Sequence, residues 1–221
     1  MFYTSALKWT QPGTEWLGNS LSPNFLGAII FCGGASKRMG KPKAALPHPG
    51  GTLLQHIIQQ VQRLTDDITM LGEPPEASVT NFSGRVIADV DPHVGPLVSL
   101  RNAYQNDQFS RECYLLLSCD LPFLHAEELF LLCTGFESTK DGAVPVVAGN
   151  WQPLAACYRT KSLRRALAEL PVNEQRMMKL CDVMDLEPLL DEVYPQLWQL
   201  QNVNEPEEYI RFLKSVGWEQ S

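Results

Sequence analysis

The chain has 221 residues, of which 44% are hydrophobic and 19% charged, and its formal net charge is −7. This composition is typical of a globular protein, and the length is enough to bury a substantial core in one domain. A negative chain argues against general nucleic-acid binding, which needs a basic surface. No apolar run approaches the roughly 20 residues of a membrane-spanning helix, so no membrane segment is expected.

The first 24 residues predict an irregular extension. They contain Trp9, Trp16, Pro12 and Pro23, and they lack both the basic and the apolar region of a secretory signal. We therefore expect the folded domain to span 25–221. The six cysteines form no C-x-x-C pair and no zinc-like spacing with the four histidines. Unpaired cysteines suit a reducing compartment, which predicts a cytoplasmic protein.

Apolar runs alternate with helical patterns along most of the chain. Strands are predicted at 26–31, 67–71, 85–88, 113–118 and 143–147, and helices at 52–64, 95–105 and 126–133. This alternation predicts an α/β fold, a mostly parallel, doubly wound sheet of Rossmann-like type with helices on both faces. Beyond residue 150 the pattern is mixed, with a strand at 154–158, helices at 161–170 and 173–181, and a closing helix at 206–216.

A glycine-rich, cationic segment follows the first predicted strand. It reads G-G-x-S-x-R-M-G-x-x-K from Gly33 to Lys43, which is neither the P-loop spacing nor the G-x-G-x-x-G dinucleotide turn. Glycine lets backbone N–H groups approach a phosphate closely, and Arg38 and Lys43 add positive charge. The segment therefore predicts a nucleoside triphosphate site, although a solvated basic loop is the alternative. Its expected contacts are Phe31, Cys32, Gly33, Gly34, Ser36 and Lys43.

The end of the third predicted strand carries a polar group toward the same site, because ligands of doubly wound sheets lie beyond the carboxyl ends of the strands. Asp89 ends the third strand and is a candidate for a ribose hydroxyl. The segment Gly95-Pro96-Leu97 opens the next helix, whose N-terminus attracts anions. Asp91 lies just before this helix, and we prefer to interpret it as a carboxylate of the helix's first turn.

Asp120 follows the fourth strand in the segment Cys119-Asp120-Leu121-Pro122. A carboxylate at the end of a fully buried strand is a candidate ligand for Mg²⁺, which favours one or two carboxylates together with phosphate oxygens. The sequence therefore predicts a nucleotide site in which Asp120 contacts both metal and nucleotide.

These motifs resemble those of the MobA-like nucleotidyltransferases of molybdenum cofactor biosynthesis. Two later segments also match, Trp151-Gln152-Pro153-Leu154 and Asn202-Val203-Asn204-Glu205-Pro206, so the resemblance runs from about residue 25 to 213. It implies a nucleotidyltransferase fold with a nucleotide half at about 25–125 and an acceptor half at about 126–221.

The resemblance also implies roles for individual residues. The aspartate of the family's C-D-x-P segment holds the catalytic Mg²⁺, and that position is Asp120 here. Together with Arg38 and Lys43, it is expected to be catalytic. Residues expected to bind the acceptor are Gln152, Pro153, Arg176, Asn202 and Asn204. A helix cap remains the alternative for Asn204, and plain surface charge remains the alternative for Arg176.

The reaction that the family implies is transfer of GMP from GTP to molybdopterin with release of pyrophosphate, together with transient contact to cofactor-biosynthesis or molybdoenzyme-maturation proteins. Four positions depart from the family pattern: Pro42, Gly72, Ser99 and Glu205. The first two keep open a CTP-dependent enzyme, and a sugar-phosphate nucleotidyltransferase is a further alternative. An alternative of another class is a catalytically idle nucleotide-binding or cofactor-delivery module, which predicts loss of Lys43 or Asp120; neither is lost.

Overall fold

The computed structural model describes residues 24–33, 42–80, 82–89, 95–106 and 109–218. Within these ranges the chain forms ten strands and six α-helices. The strands are β1 (Leu26–Phe31), β2 (Pro47–His48), β3 (Gly51–Thr52), β4 (Ile68–Leu71), β5 (Arg85–Ile87), β6 (Cys113–Ser118), β7 (Gly142–Val147), β8 (Asn150–Trp151), β9 (Ala155–Arg159) and β10 (Leu186–Leu190). The helices are α1 (Leu53–Gln62), α2 (Pro96–Asn106), α3 (Ala126–Thr134), α4 (Thr160–Glu169), α5 (Met178–Val183) and α6 (Pro206–Ser215). None of the helices in these ranges is long and apolar enough to cross a membrane.

The main sheet has the strand order β10-β7-β9-β6-β1-β4-β5, with β8 added beside β7. The strand β1 runs parallel to both β4 and β6, so the chain builds outward through β4 and β5 and then returns to the other side of β1. The sheet is therefore doubly wound, with its topological switch point between β1 and β6. Only β9 and the short β8 run antiparallel to their neighbours in this sheet.

The two faces of β1 point into two separate cores. Ala28 and Ile30 pack on the face covered by α1, α3 and α6, whereas Ile29 and Phe31 pack on the face covered by α2, α4 and α5. Successive strand residues point to opposite faces, so a strand with helices on both sides must be apolar throughout, as β1 is. This arrangement confirms the predicted α/β fold with a mostly parallel sheet and helices on both faces.

The structure differs from the predicted elements mainly after residue 170. The helix predicted at 173–181 begins only at Met178, because residues 171–177 form a loop. The strand β10 was not predicted, since Pro188 lies in its middle and proline supplies no N–H for a ladder. As the edge strand beside β7, β10 tolerates this loss. The hairpin of β2 and β3 was also missed.

Arg101 of α2 fixes the loop that replaces the start of the predicted helix. The residue is only 5% exposed. Its guanidinium donates hydrogen bonds of 2.7–3.3 Å to four main-chain carbonyls, those of Leu167, Leu170, Pro171 and Val172. A buried guanidinium has five donors to satisfy, and the end of α4 supplies the acceptors that it needs. This contact joins the C-terminal end of α4 to α2.

We expect Arg101→Met to lower the free energy of unfolding by about 2–4 kcal/mol, because the change keeps an apolar stem and leaves buried carbonyls without their charged donor. Urea denaturation with linear extrapolation measures the effect. The control is Arg165→Met, which removes a half-exposed arginine paired with Asp141 and should cost less than about 1 kcal/mol. Equal losses in the two variants would contradict the structural role given to Arg101.

Candidate active site

A cleft of about 290 Å³ opens at the topological switch point, where β1 and β6 end. It lies where doubly wound sheets bind their ligands. Its described walls are Phe31, Cys32, Gly33, Pro42, Lys43, Leu71, Asp89, Gly95, Pro96, Ser99, Ser118, Cys119, Asp120 and Leu154. Most of the predicted nucleotide-binding residues thus line one cleft. The predicted residues Gly34, Ser36 and Arg38, and also Asp91, lie outside the described residues.

Backbone-to-backbone packing forms the floor of the cleft beside Gly33. A Cβ placed on Gly33 would lie 2.7 Å from Asp89 Oδ2, and one placed on Gly72 would lie 2.6 Å from the Gly33 nitrogen. Gly72 also has a φ of +102°, in the region that favours glycine. The chain after β4 can therefore touch the backbone after β1 because Gly72 has no side chain, and Asp89 can approach Gly33 because Gly33 has none. This packing accounts for Gly72, which departs from the family pattern, and it places the Asp89 carboxylate over Gly33.

The carboxylate of Asp120 is bonded on both oxygens. Lys43 Nζ donates to Asp120 Oδ2 at 2.7 Å, and the Ser118 hydroxyl donates to Asp120 Oδ1. Lys43 Nζ also donates to Asn204 Oδ1 at 2.8 Å. Three segments that are far apart in sequence, the cationic loop, the end of β6 and the start of α6, therefore meet at one ammonium group. Ser118 was not predicted, although its position two residues before Asp120 at the same strand end was a signal.

The start of α6 holds Asn204 in place through its backbone. The backbone N–H groups of Asn204 and Glu205 both donate to Glu208 Oε2, at 2.9 and 3.2 Å. These bonds keep the pKa of Glu208 below its ordinary value. Glu205 is the N-cap residue, so the alternative in which Asn204 caps the helix is wrong. The side-chain oxygen of Asn204 instead accepts the hydrogen bond from Lys43. In addition, the Val203 N–H donates to the Asp120 carbonyl at 2.9 Å, which joins this segment to β6.

The two cysteines of the cleft are poor nucleophiles. Cys32 and Cys119 are both 8% exposed. Burial, reinforced by the nearby Asp120, raises the pKa of the Cys119 thiol to about 12, and burial likewise raises that of Cys32 well above its ordinary value. Because the thiolate is the reactive form, both side chains stay protonated at neutral pH and act as packing groups.

The opposite wall of the cleft is formed by the start of α2. Gly95 has a φ of +80°, and a Cβ placed on it would lie 2.9 Å from Gln175 Cβ. The loop that Arg101 anchors therefore packs directly against this wall. Pro96 lines the cleft, whereas Leu97 is fully buried beneath it. Ser99, one turn further along α2, also lines the cleft and was not predicted as a contact; it lies three residues after Pro96, on the same helix face.

The predicted acceptor residues do not all meet at this cleft. Leu154 lines it, but Gln152 and Pro153 lie in the preceding turn, where Gln152 Nε2 donates to the Asn150 carbonyl and the Pro153 carbonyl accepts from the Tyr158 hydroxyl. The exposed Arg176 forms a two-pronged ion pair with Glu174 at 2.9 Å. Asn202 lines a neighbouring cavity of about 470 Å³, together with Phe123, Trp198 and Arg211. Of the five, only Asn204 contacts the Lys43–Asp120 pair among the bonds described.

The donors around Asp120 suit a cation that is shared with a ligand. Within the described ranges, no group of three or more His, Cys, Asp or Glu side chains could hold a metal ion by itself. Asp120 and Ser118 offer hard oxygen atoms, and the Lys43 ammonium already shows that a cation fits against Asp120 Oδ2. Mg²⁺ commonly takes one or two protein carboxylates and completes its coordination with water and phosphate oxygens. The residues present fit that mode of binding.

Comparison with known proteins agrees with the fold. The MobA-like NTP transferase domain matches residues 28–189. A curated relative from Bacillus licheniformis, named "Probable molybdenum cofactor guanylyltransferase", is 30% identical over 181 residues, which cover 80% of this chain and 90% of the relative.

Solved structures show the same fold. The molybdopterin-guanine dinucleotide biosynthesis protein A of Archaeoglobus fulgidus superposes with a TM-score of 0.65 at 17% identity, covering 86% of this chain and 98% of that one. A Mycobacterium tuberculosis protein solved in complex with manganese gives 0.63 at 17% identity, covering 86% and 99%. With the switch-point cleft and its Lys43–Asp120 pair, these matches lead to one conclusion: the chain belongs to the MobA-like NTP transferase family and is a nucleotidyltransferase.

Proposed function

We propose that the protein transfers GMP from GTP to molybdopterin and releases pyrophosphate. The proposal rests mainly on the contact of Lys43 with both Asp120 and Asn204. This contact brings together the cationic loop, the carboxylate proposed to bind the metal and the segment proposed to bind the acceptor. The relative named as a molybdenum cofactor guanylyltransferase supports the choice of both substrates.

On the nucleotide side, the glycine-rich loop would bind the triphosphate through its backbone N–H groups, and Asp89 would accept a hydrogen bond from the ribose. Asp120 would hold Mg²⁺, which when bound offsets the negative charge of the phosphates. The manganese complex of the Mycobacterium tuberculosis neighbour supports a divalent cation in this fold. Lys43 and Arg38 would stabilise the charge that develops on the leaving pyrophosphate.

On the acceptor side, Asn204 is the best-placed contact for the molybdopterin phosphate, with Gln152, Pro153, Arg176 and Asn202 proposed further out. An oxygen of that phosphate attacks the α-phosphorus of GTP, and the bond from the α-phosphorus to the bridging oxygen breaks. Pyrophosphate leaves with the electron pair. The nucleophile is already an anion, so the protein needs no general base and contributes mainly positioning and charge stabilisation.

We also propose a division of the domain into two halves, a cellular compartment and partner proteins. Residues 25–125 would form the nucleotide half and 126–221 the acceptor half, in a cytoplasmic enzyme that hands its product to cofactor-biosynthesis or molybdoenzyme-maturation proteins.

A CTP-dependent enzyme is the second candidate, and it rests on Gly72. This residue packs against Gly33 and presents no side chain to a base, so the guanine contact of the usual asparagine is missing here.

We predict that GTP with Mg²⁺ raises the melting temperature more than CTP, ATP or UTP with Mg²⁺. Ligand binding stabilises the folded state by mass action, by about 2.7 kcal/mol when the ligand is at 100 times its Kd. Thermal denaturation with each nucleotide, with and without Mg²⁺, measures the difference. Stabilisation by CTP equal to or above that by GTP would move the protein to the cytidylyl branch.

We further predict that Asp120→Asn and Lys43→Ala each lower turnover by about 10² to 10³ fold, the scale for loss of one preorganised charge contact. Steady-state formation of the dinucleotide product measures this, with thermal denaturation as the folding check. The matched control is Asp185→Asn, which removes an exposed carboxylate paired with Lys140 and should leave turnover unchanged. Near wild-type turnover in folded Asp120→Asn and Lys43→Ala would show that the proposed site is wrong.

A further inference from the structure

We propose that Lys43 is a latch that makes substrate binding ordered. Before the nucleotide binds, its ammonium group occupies both the metal-binding carboxylate of Asp120 and the side-chain oxygen of Asn204. The arriving triphosphate draws Lys43 away, so that Asp120 becomes available to the metal and Asn204 to the acceptor in the same step. This inference rests on the proposed function and adds to it the order in which metal, nucleotide and acceptor bind.

Lys43 and a metal ion compete for one carboxylate oxygen of Asp120. Lys43 Nζ lies 2.7 Å from Asp120 Oδ2, and the two side chains are 17% and 12% exposed. A charge-assisted bond between partly buried groups is strong and is weakly screened by salt. Asp120 Oδ1 is already bonded to Ser118. A cation that arrives alone must displace the ammonium group to reach a single carboxylate, so it should bind weakly.

The Lys43 side chain can move while its backbone stays in place. Lys43 begins a short 3₁₀ turn, Lys43–Ala45, which is closed by the Ala45 N–H to the Pro42 carbonyl and the Leu46 N–H to the Lys43 carbonyl. Ala44 is 1% exposed and anchors the turn in the core. The four-carbon stem of lysine is flexible, and Lys43 also lines the nucleotide cleft. Rotation of the side chain alone can therefore carry the ammonium group from Asp120 toward a phosphate bound in the same cleft.

A triphosphate attracts the Lys43 ammonium group more strongly than Asp120 and Asn204 do. Asp120 presents one negative charge and Asn204 none, whereas a nucleoside triphosphate carries several negative charges. Mg²⁺ brought in with the nucleotide would take the place of Lys43 on Asp120, so the carboxylate never loses a cationic partner. An exchange of partners of this kind avoids leaving a buried charge unpaired, which would be costly.

Asn204 stays in place when Lys43 leaves. Its backbone N–H is held by Glu208 Oε2 at 2.9 Å, and its neighbour Val203 is bonded to the Asp120 carbonyl. Departure of Lys43 therefore removes a donor from Asn204 Oδ1 without displacing the residue. Asn204 is exposed, so the freed oxygen faces space that an acceptor can reach. The acceptor should consequently bind after the nucleotide.

The experiment measures Mn²⁺ binding by the electron paramagnetic resonance signal of the free ion, first without nucleotide. The test variant is Lys43→Met, which keeps the length of the stem and removes the ammonium group. The matched control is Lys140→Met, which changes the net charge equally and breaks a 2.8 Å pair with Asp185 at a different carboxylate. We expect Lys43→Met to bind Mn²⁺ about tenfold more tightly than the wild type, and Lys140→Met to bind it like the wild type. Adding Asp120→Asn to Lys43→Met should abolish the gain.

With GTP present, the difference in affinity between the two proteins should reverse. Lys43→Met should bind Mn²⁺–GTP about tenfold more weakly than the wild type, because the triphosphate loses its contact with the lysine. Equal nucleotide-free Mn²⁺ affinity of wild type and Lys43→Met would overturn the latch, even if GTP still bound. Failure of the wild type to bind any nucleotide with Mn²⁺ would instead contradict the proposed function. The two failures are therefore distinguishable, and thermal denaturation of each variant checks that it is folded.

The coupling to the acceptor has its own readout. Binding of molybdopterin, measured by isothermal titration calorimetry, should strengthen at least fivefold when a non-hydrolysable GTP analogue and Mg²⁺ are present in the wild type. In Lys43→Met, Asn204 is free of the ammonium group from the start, so the affinity should be nearly independent of the analogue. The same dependence on nucleotide in both proteins would overturn the proposed order of binding.

Discussion

The ion pair between Lys43 and Asp120 is the interaction on which the site depends. Two charged side chains that are largely removed from water each need a partner of opposite charge, and in this structure each is the other's partner. Asp120 is fixed by the end of β6 and by Ser118, and Lys43 is fixed by the 3₁₀ turn that follows the cationic loop. Asn204 completes the cluster from the start of α6. Distant parts of the chain thus meet at this ion pair, beside the point where nucleotide and acceptor would meet.

The fold makes this meeting possible through its strand order. Since β1 lies between β4 and β6, the chains leaving these strands diverge at the switch point and leave a crevice. Glycine narrows one side of it, where Gly33 and Gly72 touch through their backbones. On another side, Arg101 anchors the end of α4 and the loop that packs against Gly95. Residues that carry no reaction chemistry therefore set the width of the cleft, and a substitution there would act on nucleotide binding through packing.

Much of the fold followed from local pattern. Continuous apolar runs predict β1 and β6, and the position of Asp89 and Asp120 at strand ends predicts that they share one cleft, as the structure shows. What could not be predicted depends on contacts between distant segments. The antiparallel direction of β9 is invisible in a run of apolar residues, Pro188 hid an edge strand, and the bond from Lys43 to Asn204 spans 161 positions. For the same reason the sequence predicts one role for Asn202 and Asn204. In the structure Asn202 lines a neighbouring cavity, whereas Asn204 contacts the ion pair.

The central claim is that Asp120 exchanges Lys43 for a metal ion when the nucleotide binds in the cleft. A crystal structure with Mn²⁺ and a non-hydrolysable GTP analogue, with data collected at the manganese absorption edge, tests it most directly. We predict an anomalous peak at roughly 2.1 Å from an oxygen of the Asp120 carboxylate, the distance typical of a small divalent cation bound to oxygen. We also predict that Lys43 Nζ contacts the phosphates. A nucleotide-bound structure in which manganese lies elsewhere and Lys43 remains paired with Asp120 would contradict it.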